Sequence, residues 1–242
     1  MKITDKISNY YNNFILLFKS FIDGETTVDQ ITNQIRMLNI LEKDFGHKKS
    51  YITKKALDKD NKPLPWFTFS AIEFIQSLDL SNIDVLEYGS GIGSAYWAKK
   101  SKSITSIESD PEWFKKVNKK TTKNQKILLM KTKSDYVDAI KKQKKSFGMV
   151  IVDGIHRYDC TKAVISVVKP DTVIVLDNAE WYPKTTEMLR KNGYKQIDFC
   201  GFGPVVYFSW KTSFFMKNLN IFSYKKQNYE PVGCYSQSID PE

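Results

Sequence analysis

A few short stretches carry residue types on which chemistry could be built. The first is Glu87-Tyr88-Gly89-Ser90-Gly91-Ile92-Gly93, three glycines at alternate positions behind an acid. Glycines are needed where a backbone must turn tightly and approach a ligand closely. A helix starting at such a turn adds free N–H groups and positive potential, which suits nucleotide-like ligands. Glu108 ends the next apolar run, about 20 positions on, where an acid commonly holds a ribose diol. Further along, "VIVD" ends at Asp153 and "VIVLDN" ends at Asp177-Asn178. Two carboxylates and an amide oxygen suit a hard cation such as Mg²⁺, with water or substrate oxygens completing its shell. His156 follows Asp153 closely, and an imidazole with a pKa near 6.5 can take up a proton at neutral pH.

These residues need elements to hold them. From residue 83 onward, short apolar runs alternate with helical or polar stretches. The runs are Ile83–Leu86, Ile104–Ile107, Ile127–Met130, Met149–Val152 and Val173–Leu176. Alternation on this scale predicts an open, largely parallel α/β sheet. Helices are expected around Cys160–Val168 and Thr185–Asn192. The end differs, because "KQIDFCGF" and "VVYFSWKTSFFM" are joined through Gly203-Pro204 with no room for a helix. That predicts an antiparallel hairpin closing the sheet. In such a sheet ligands sit beyond the carboxyl ends of the strands, so Asp153, Asp177 and Asn178 should gather at the rim that holds the glycine turn.

Ahead of this core, Ile7, Tyr11, Phe14, Phe18 and Phe21 recur at helical spacing. A second helix is expected from Thr27, where Thr27 and Gln30 form a capping box before an apolar face. Residues 46–65 are polar and end in two prolines, which reads as a linker or mobile loop. "WFTFSAIEFIQSLDL" predicts one more helix, with Ser70 and Glu73 as its capping box. The expected division is therefore a helical cover and linker over 1–62, an α/β core over 63–218 and an irregular tail over 219–242.

Composition narrows the function classes. The 242 residues are 41% hydrophobic and 14% aromatic, enough for a real core, and the net charge is +10. That charge invites a nucleic-acid reading. It is nearly all lysine and scattered, with Arg36, Arg157 and Arg190 the only arginines, and arginine is the better residue for bidentate contacts with phosphates and bases. Cys160, Cys200 and Cys234 are odd in number and contain no CxxC, which argues against a disulfide framework or structural zinc and for a reducing compartment. The apolar run Phe14–Phe18 is short and interrupted by Lys19, so neither signal peptide nor membrane span is expected, and a cytoplasmic location follows.

The stretch Glu87 to Gly93 resembles motif I of class I S-adenosylmethionine-dependent methyltransferases, and Glu108 is similar to their ribose-binding acid. A nicotinamide fingerprint would need glycine at position 94, where this chain has Ser94. The resemblance covers roughly residues 65–216 and implies a Rossmann-like, seven-stranded methyltransferase sheet with a helical N-terminal extension. It implies that Glu87, Tyr88, Gly89, Ser90, Gly91, Gly93 and Glu108 hold S-adenosylmethionine, Glu87 at the methionine end. Asp135 is implied near the adenine amino group, and Asp153 serves the cofactor or the metal.

Asp153 with Asp177-Asn178 is similar, more narrowly, to the metal ligands of the catechol and caffeoyl-CoA O-methyltransferases. That resemblance implies Mg²⁺-assisted methyl transfer to a hydroxyl of a small molecule or sugar. Those enzymes carry a lysine where this chain has His156, so the base is left between His156 and Asp153. The alternatives are a metal-independent methyltransferase, a nucleic-acid methyltransferase and a non-catalytic cofactor-binding subunit. The motifs for exocyclic amines and for cytosine C5 are absent from the sequence. The N-terminal helices are expected to cover the site or to mediate a homodimer.

Overall fold

A computed structural model describes residues 22, 27–119, 121–218, 223 and 230–234. The expected helix over Ile7–Phe21 and most of the expected tail lie outside the described residues. Seven strands form one sheet: β1 (Asp84–Tyr88), β2 (Ser103–Glu108), β3 (Gln125–Leu129), β4 (Met149–Val152), β5 (Val173–Asp177), β6 (Lys195–Gly201) and β7 (Trp210–Met216). Their order is β3-β2-β1-β4-β5-β7-β6. The first five pair in parallel, and β7 runs antiparallel between β5 and β6. This is the expected seven-stranded, mostly parallel sheet with a C-terminal antiparallel hairpin.

The central strands are buried on both faces, as a parallel sheet covered by helices requires. Successive side chains alternate between two apolar layers. Val85, Ile151, Val175 and Phe214 join one, while Leu86, Val150, Leu176 and Phe215 join the other. The first layer packs against α3 (Phe69–Ser77) and α4 (Gly93–Lys100), the second against α7 (Arg157–Ile165) and α8 (Pro183–Lys191). Between these in the chain lie α5 (Pro111–Asn118) and α6 (Lys133–Val137).

Upstream, α1 (Val28–Asn39) starts at Thr27 with the capping box formed as its sequence predicts. Helix α2 (His47–Thr53) then occupies part of the stretch expected as a linker. That expectation is corrected. Ser50 Oγ donates to Leu57 O (2.8 Å) and accepts from Leu57 N (3.0 Å). Leu64 N donates to Ala56 O (3.0 Å), and Ala56 and Leu64 are buried in the sheet's own core. The stretch is polar because most of its side chains face solvent, but its backbone is tied down at both ends. Helix α3 begins two residues earlier than its sequence suggests. Its N-cap is Thr68, not Ser70, because Thr68 is also fixed to the hairpin, donating to Phe199 O through Oγ1 (3.0 Å). Among the described residues no helix is long and apolar enough to cross a membrane.

Candidate functional site

Chain order reverses between β1 and β4, the neighbours at the centre of the sheet, and a crevice is expected beyond their carboxyl ends. Gly89 follows β1 at φ +92°, and a Cβ there would stand 2.8 Å from Gly154 Cα. The two strand-end turns therefore touch through glycine backbones, and only glycine fits at Gly89. Gly93 starts α4 against Pro65, whose Cα would lie 3.0 Å from an added Cβ. Gly91 is different. A Cβ there would meet nothing closer than Gly93 N at 3.9 Å. Its glycine leaves space open rather than relieving a clash.

That space is a cavity of about 330 Å³. Its floor is Glu87 and the run Gly89–Gly93, and Asp153 stands at one end. Lys54, Lys55 and Trp66 form the opposite wall, and Trp113 closes the side. Glu87 is buried and accepts from Ser94 Oγ (2.5 Å) and Ser106 Oγ (2.8 Å). Burial pushes its carboxyl up to about 8, the two serine bonds only partly offsetting it. Trp113 is fixed by a bond from its Nε1 to Ser90 O (2.7 Å).

A second cavity, of about 360 Å³, adjoins the first. Asp153 and Trp66 line both. The second adds Arg157, Asp177 and Asn178 on its polar side and Trp181, Phe208 and Trp210 on its aromatic side. His156 (φ 54°) and Asn178 (φ 51°) turn the chain in the left-handed region just past β4 and β5. Val205 is also left-handed, at φ 76°. A β-branched residue there stores strain of roughly 1–3 kcal/mol, in the loop that presents Val206 and Phe208 to the cavity.

The expected metal ligands do converge here, and one side-chain oxygen of each accepts from a protein donor. The guanidinium of Arg157 has five N–H groups, and all are used. Nε donates to Gly154 O (2.9 Å). Nη1 donates to Asp177 O (2.5 Å) and Asn178 Oδ1 (3.2 Å). Nη2 donates to Asp153 O (3.1 Å) and Asp153 Oδ1 (3.0 Å). The ring of Tyr182 lies 4.9 Å beneath the guanidinium. Asp177 Oδ1 accepts from Thr212 Oγ1 (2.5 Å) and Trp210 Nε1 (3.0 Å). A fixed organic cation thus joins the ends of β4 and β5 where a divalent ion was expected. Among the described residues no cluster of three or more His, Cys, Asp or Glu could hold a metal.

The carboxylates respond to this setting. Burial pushes Asp153 up to about 6, opposed by the charge of Arg157. Asp177 is raised well above the usual range by burial and by the nearby charge of Asp153. Asp153 keeps 29% of its side chain exposed, so a proton can reach it from the cavities.

Four expected site residues line neither cavity. Tyr88 points to the opposite face of β1 from Glu87, as strand alternation demands, and donates to Val137 O (2.8 Å). Glu108 is buried beneath the glycine turn. Its Oε2 accepts from Ser90 N (3.1 Å) and Ser90 Oγ (2.7 Å), and its Oε1 from Ser109 N (2.8 Å) and Asp110 N (2.9 Å). Four donors fill a carboxylate's lone pairs, so Glu108 braces the turn. Asp135 sits outside, paired with Lys142 (2.6 Å) and Thr132 (2.8 Å). His156 is exposed at the start of α7 with its ring 6.4 Å from that of Tyr136. His47, which its polar surroundings mark as plain surface, is half-buried with Nε2 2.7 Å from Val206 O.

Sequence reasoning did not find the use made of Arg157, Trp113 or the Lys54–Lys55 wall. Arg157 carried a signal, being one of three arginines and four residues from Asp153.

A larger groove of about 610 Å³ lies between α6 and α7. Four of its charged side chains pair, Lys133 with Asp159 and Lys141 with Asp138, each at 2.7 Å, and Lys162 lines it as well.

No protein-family model matches the chain, and no curated protein matches it. Solved structures do. Precorrin-6y C5,15-methyltransferase from Geobacter metallireducens has a TM-score of 0.47 and 16% identity, covering 66% of this chain and 95% of that one. The fibrillarin pre-rRNA processing protein of Methanococcus jannaschii has a TM-score of 0.49 and 12% identity, covering 63% and 77%. An rRNA methylase from Streptococcus thermophilus has a TM-score of 0.46 and 9% identity, covering 60% and 93%. At these scores and identities, any reading of the site rests on this chain's own residues.

Proposed function

We propose that the chain is an S-adenosylmethionine-dependent methyltransferase that acts on an acceptor hydroxyl without a metal ion. The observation that carries this is the meeting of two cavities at Asp153 and Trp66, one built on the glycine turn and the other on polar and aromatic side chains. The first is the donor site. Gly91 keeps it open, the α4 N-terminus and Glu87 make its floor polar, and Trp113 offers a ring face for a nucleobase. When bound, S-adenosylmethionine supplies a methyl group on a sulfonium.

The second cavity would hold the acceptor oxygen toward the methyl carbon, and the donor would leave as a neutral thioether once its methyl group is transferred. Asp153 takes the hydroxyl proton. It lines both cavities, and a carboxyl raised to about 6 is ionised at neutral pH yet more basic than a free aspartate. Arg157 orients it and stabilises its anion before the reaction. His156, outside both cavities, has no part in the transfer. The remaining catalysis is positional, holding oxygen, carbon and sulfur in line.

The test is Asp153→Asn. It should bind S-adenosylhomocysteine and lower kcat by roughly 10²–10⁴. The wild-type rate should rise with pH through about 6, because only the carboxylate accepts the proton, and the variant should lose that limb. A variant of unchanged kcat and pH profile would remove Asp153 from the role.

A further inference from the structure

The second cavity also has a character of its own, and it points to an acceptor class. Its aromatic side is unusually open. Trp181 is 60% exposed and Trp66 46%, and Phe208 is exposed beside them. Exposed indoles carry an uncovered apolar area that water solvates poorly. They line the cavity together with planar polar groups, Asp153, Asn178 and Arg157.

Charge settles what those groups can take. Every N–H of Arg157 is already donated within the protein, so it has none for an anionic acceptor. Lysines line the donor cavity, not this one. Asp153 is neutralised by Arg157 at 3.0 Å, and Asp177 is buried with Oδ1 held by Thr212 and Trp210. Both carboxylates are thus held by protein donors, and what remains toward the cavity is a hydrogen-bonding edge. Asp153 accepts through Oδ2, which takes no part in the Arg157 pair. Asn178 gives its amide oxygen to Arg157, and among the described residues none takes its Nδ2 protons. Such an edge suits several hydroxyls rather than one, in a cavity also lined by exposed apolar ring surface.

We propose that this cavity is a carbohydrate subsite. A neutral sugar ring lies with its C–H face on Trp181 and Trp66 and its hydroxyls toward Asp153 and Asn178, one of them being methylated. This rests on the donor reading above. The openness of that ring surface fits a residue at the end of a longer glycan.

Saturation-transfer NMR tests it, using neutral methyl glycopyranosides, a hexose 6-phosphate and catechol, each with the wild-type chain and S-adenosylhomocysteine. Calorimetry of S-adenosylhomocysteine runs in parallel. Saturation should reach the ring protons of at least one neutral glycoside. Trp181→Ala should weaken that glycoside about tenfold, with Trp181→Phe restoring most of it, and should leave S-adenosylhomocysteine affinity within twofold. Saturation of catechol or the hexose phosphate alone would overturn the proposal. So would no transfer to any glycoside while S-adenosylhomocysteine binds, and that result would leave the donor site standing. Absence of S-adenosylhomocysteine binding would overturn both.

Discussion

Arg157 decides more about this site than any carboxylate. Asp153, Asp177 and Asn178 were legible in sequence as a group that would meet beyond the strand ends, since topology alone brings them there. Their state was not legible, because it depends on a side chain from α7 folding back across both strand ends. A pattern of two aspartates and an asparagine reads the same whether a metal or a guanidinium sits between them. Lysine cannot replace this arginine, since its ammonium lacks the planar fork that reaches five acceptors. Arg157→Lys should therefore destabilise the chain by about 2–4 kcal/mol in urea unfolding, with Asp153 and Asn178 left short of partners. Adding Mg²⁺ or a chelator should leave the wild-type melting temperature unchanged, because a ligand that does not bind the native state does not stabilise it. A magnesium-dependent rise would restore the metal reading.

At the scale of elements, the glycine turn was readable because its context is local. An apolar run, three alternate glycines and a helix lie within one stretch of chain, and β1, the turn and α4 form as that pattern predicts. What the glycines do individually is tertiary. Gly89 is required by its positive φ and by the approach of Gly154, whereas Gly91 is required by neither. Gly89→Ala should cost about 1–3 kcal/mol in urea unfolding, and Gly91→Leu should unfold within about 2 °C of the wild type. Equal losses in both would mean that Gly91 has a packing role. Residues 46–65 were misjudged for the opposite reason. Their ordering comes from Ser50 bonding Leu57 and from Ala56 and Leu64 packing into the sheet's core, which polar composition and two prolines do not disclose. Tyr88 was misplaced by treating the motif as a block, though alternation along β1 separates it from Glu87.

For the molecule as a whole, the largely parallel sheet and the hairpin were legible from the spacing of apolar runs, and the acceptor cavity was not. That cavity draws Trp66, Trp181 and Phe208 from three separated loops, and loops carry specificity without periodicity. The same burial that shapes the site should mark stability. Glu87 is raised from 4.5 to about 8, so the folded chain holds a proton that the unfolded chain releases above about 4.5. Unfolding free energy should then fall as pH rises toward 8, with a slope near 1.4 kcal/mol per pH unit where this group alone differs. Between pH 6 and 8 the share of Glu87 in that loss is about 2 kcal/mol, and Glu87→Gln should remove that share. An equal slope in both would show that Glu87 is not protonated in the unliganded fold. The account depends most on the glycine turn being a donor site, and calorimetric titration with S-adenosylhomocysteine tests that most directly. The wild type should bind saturably and Gly91→Leu, folded as stably, should not. No binding to the wild type, or equal binding to both, would contradict it.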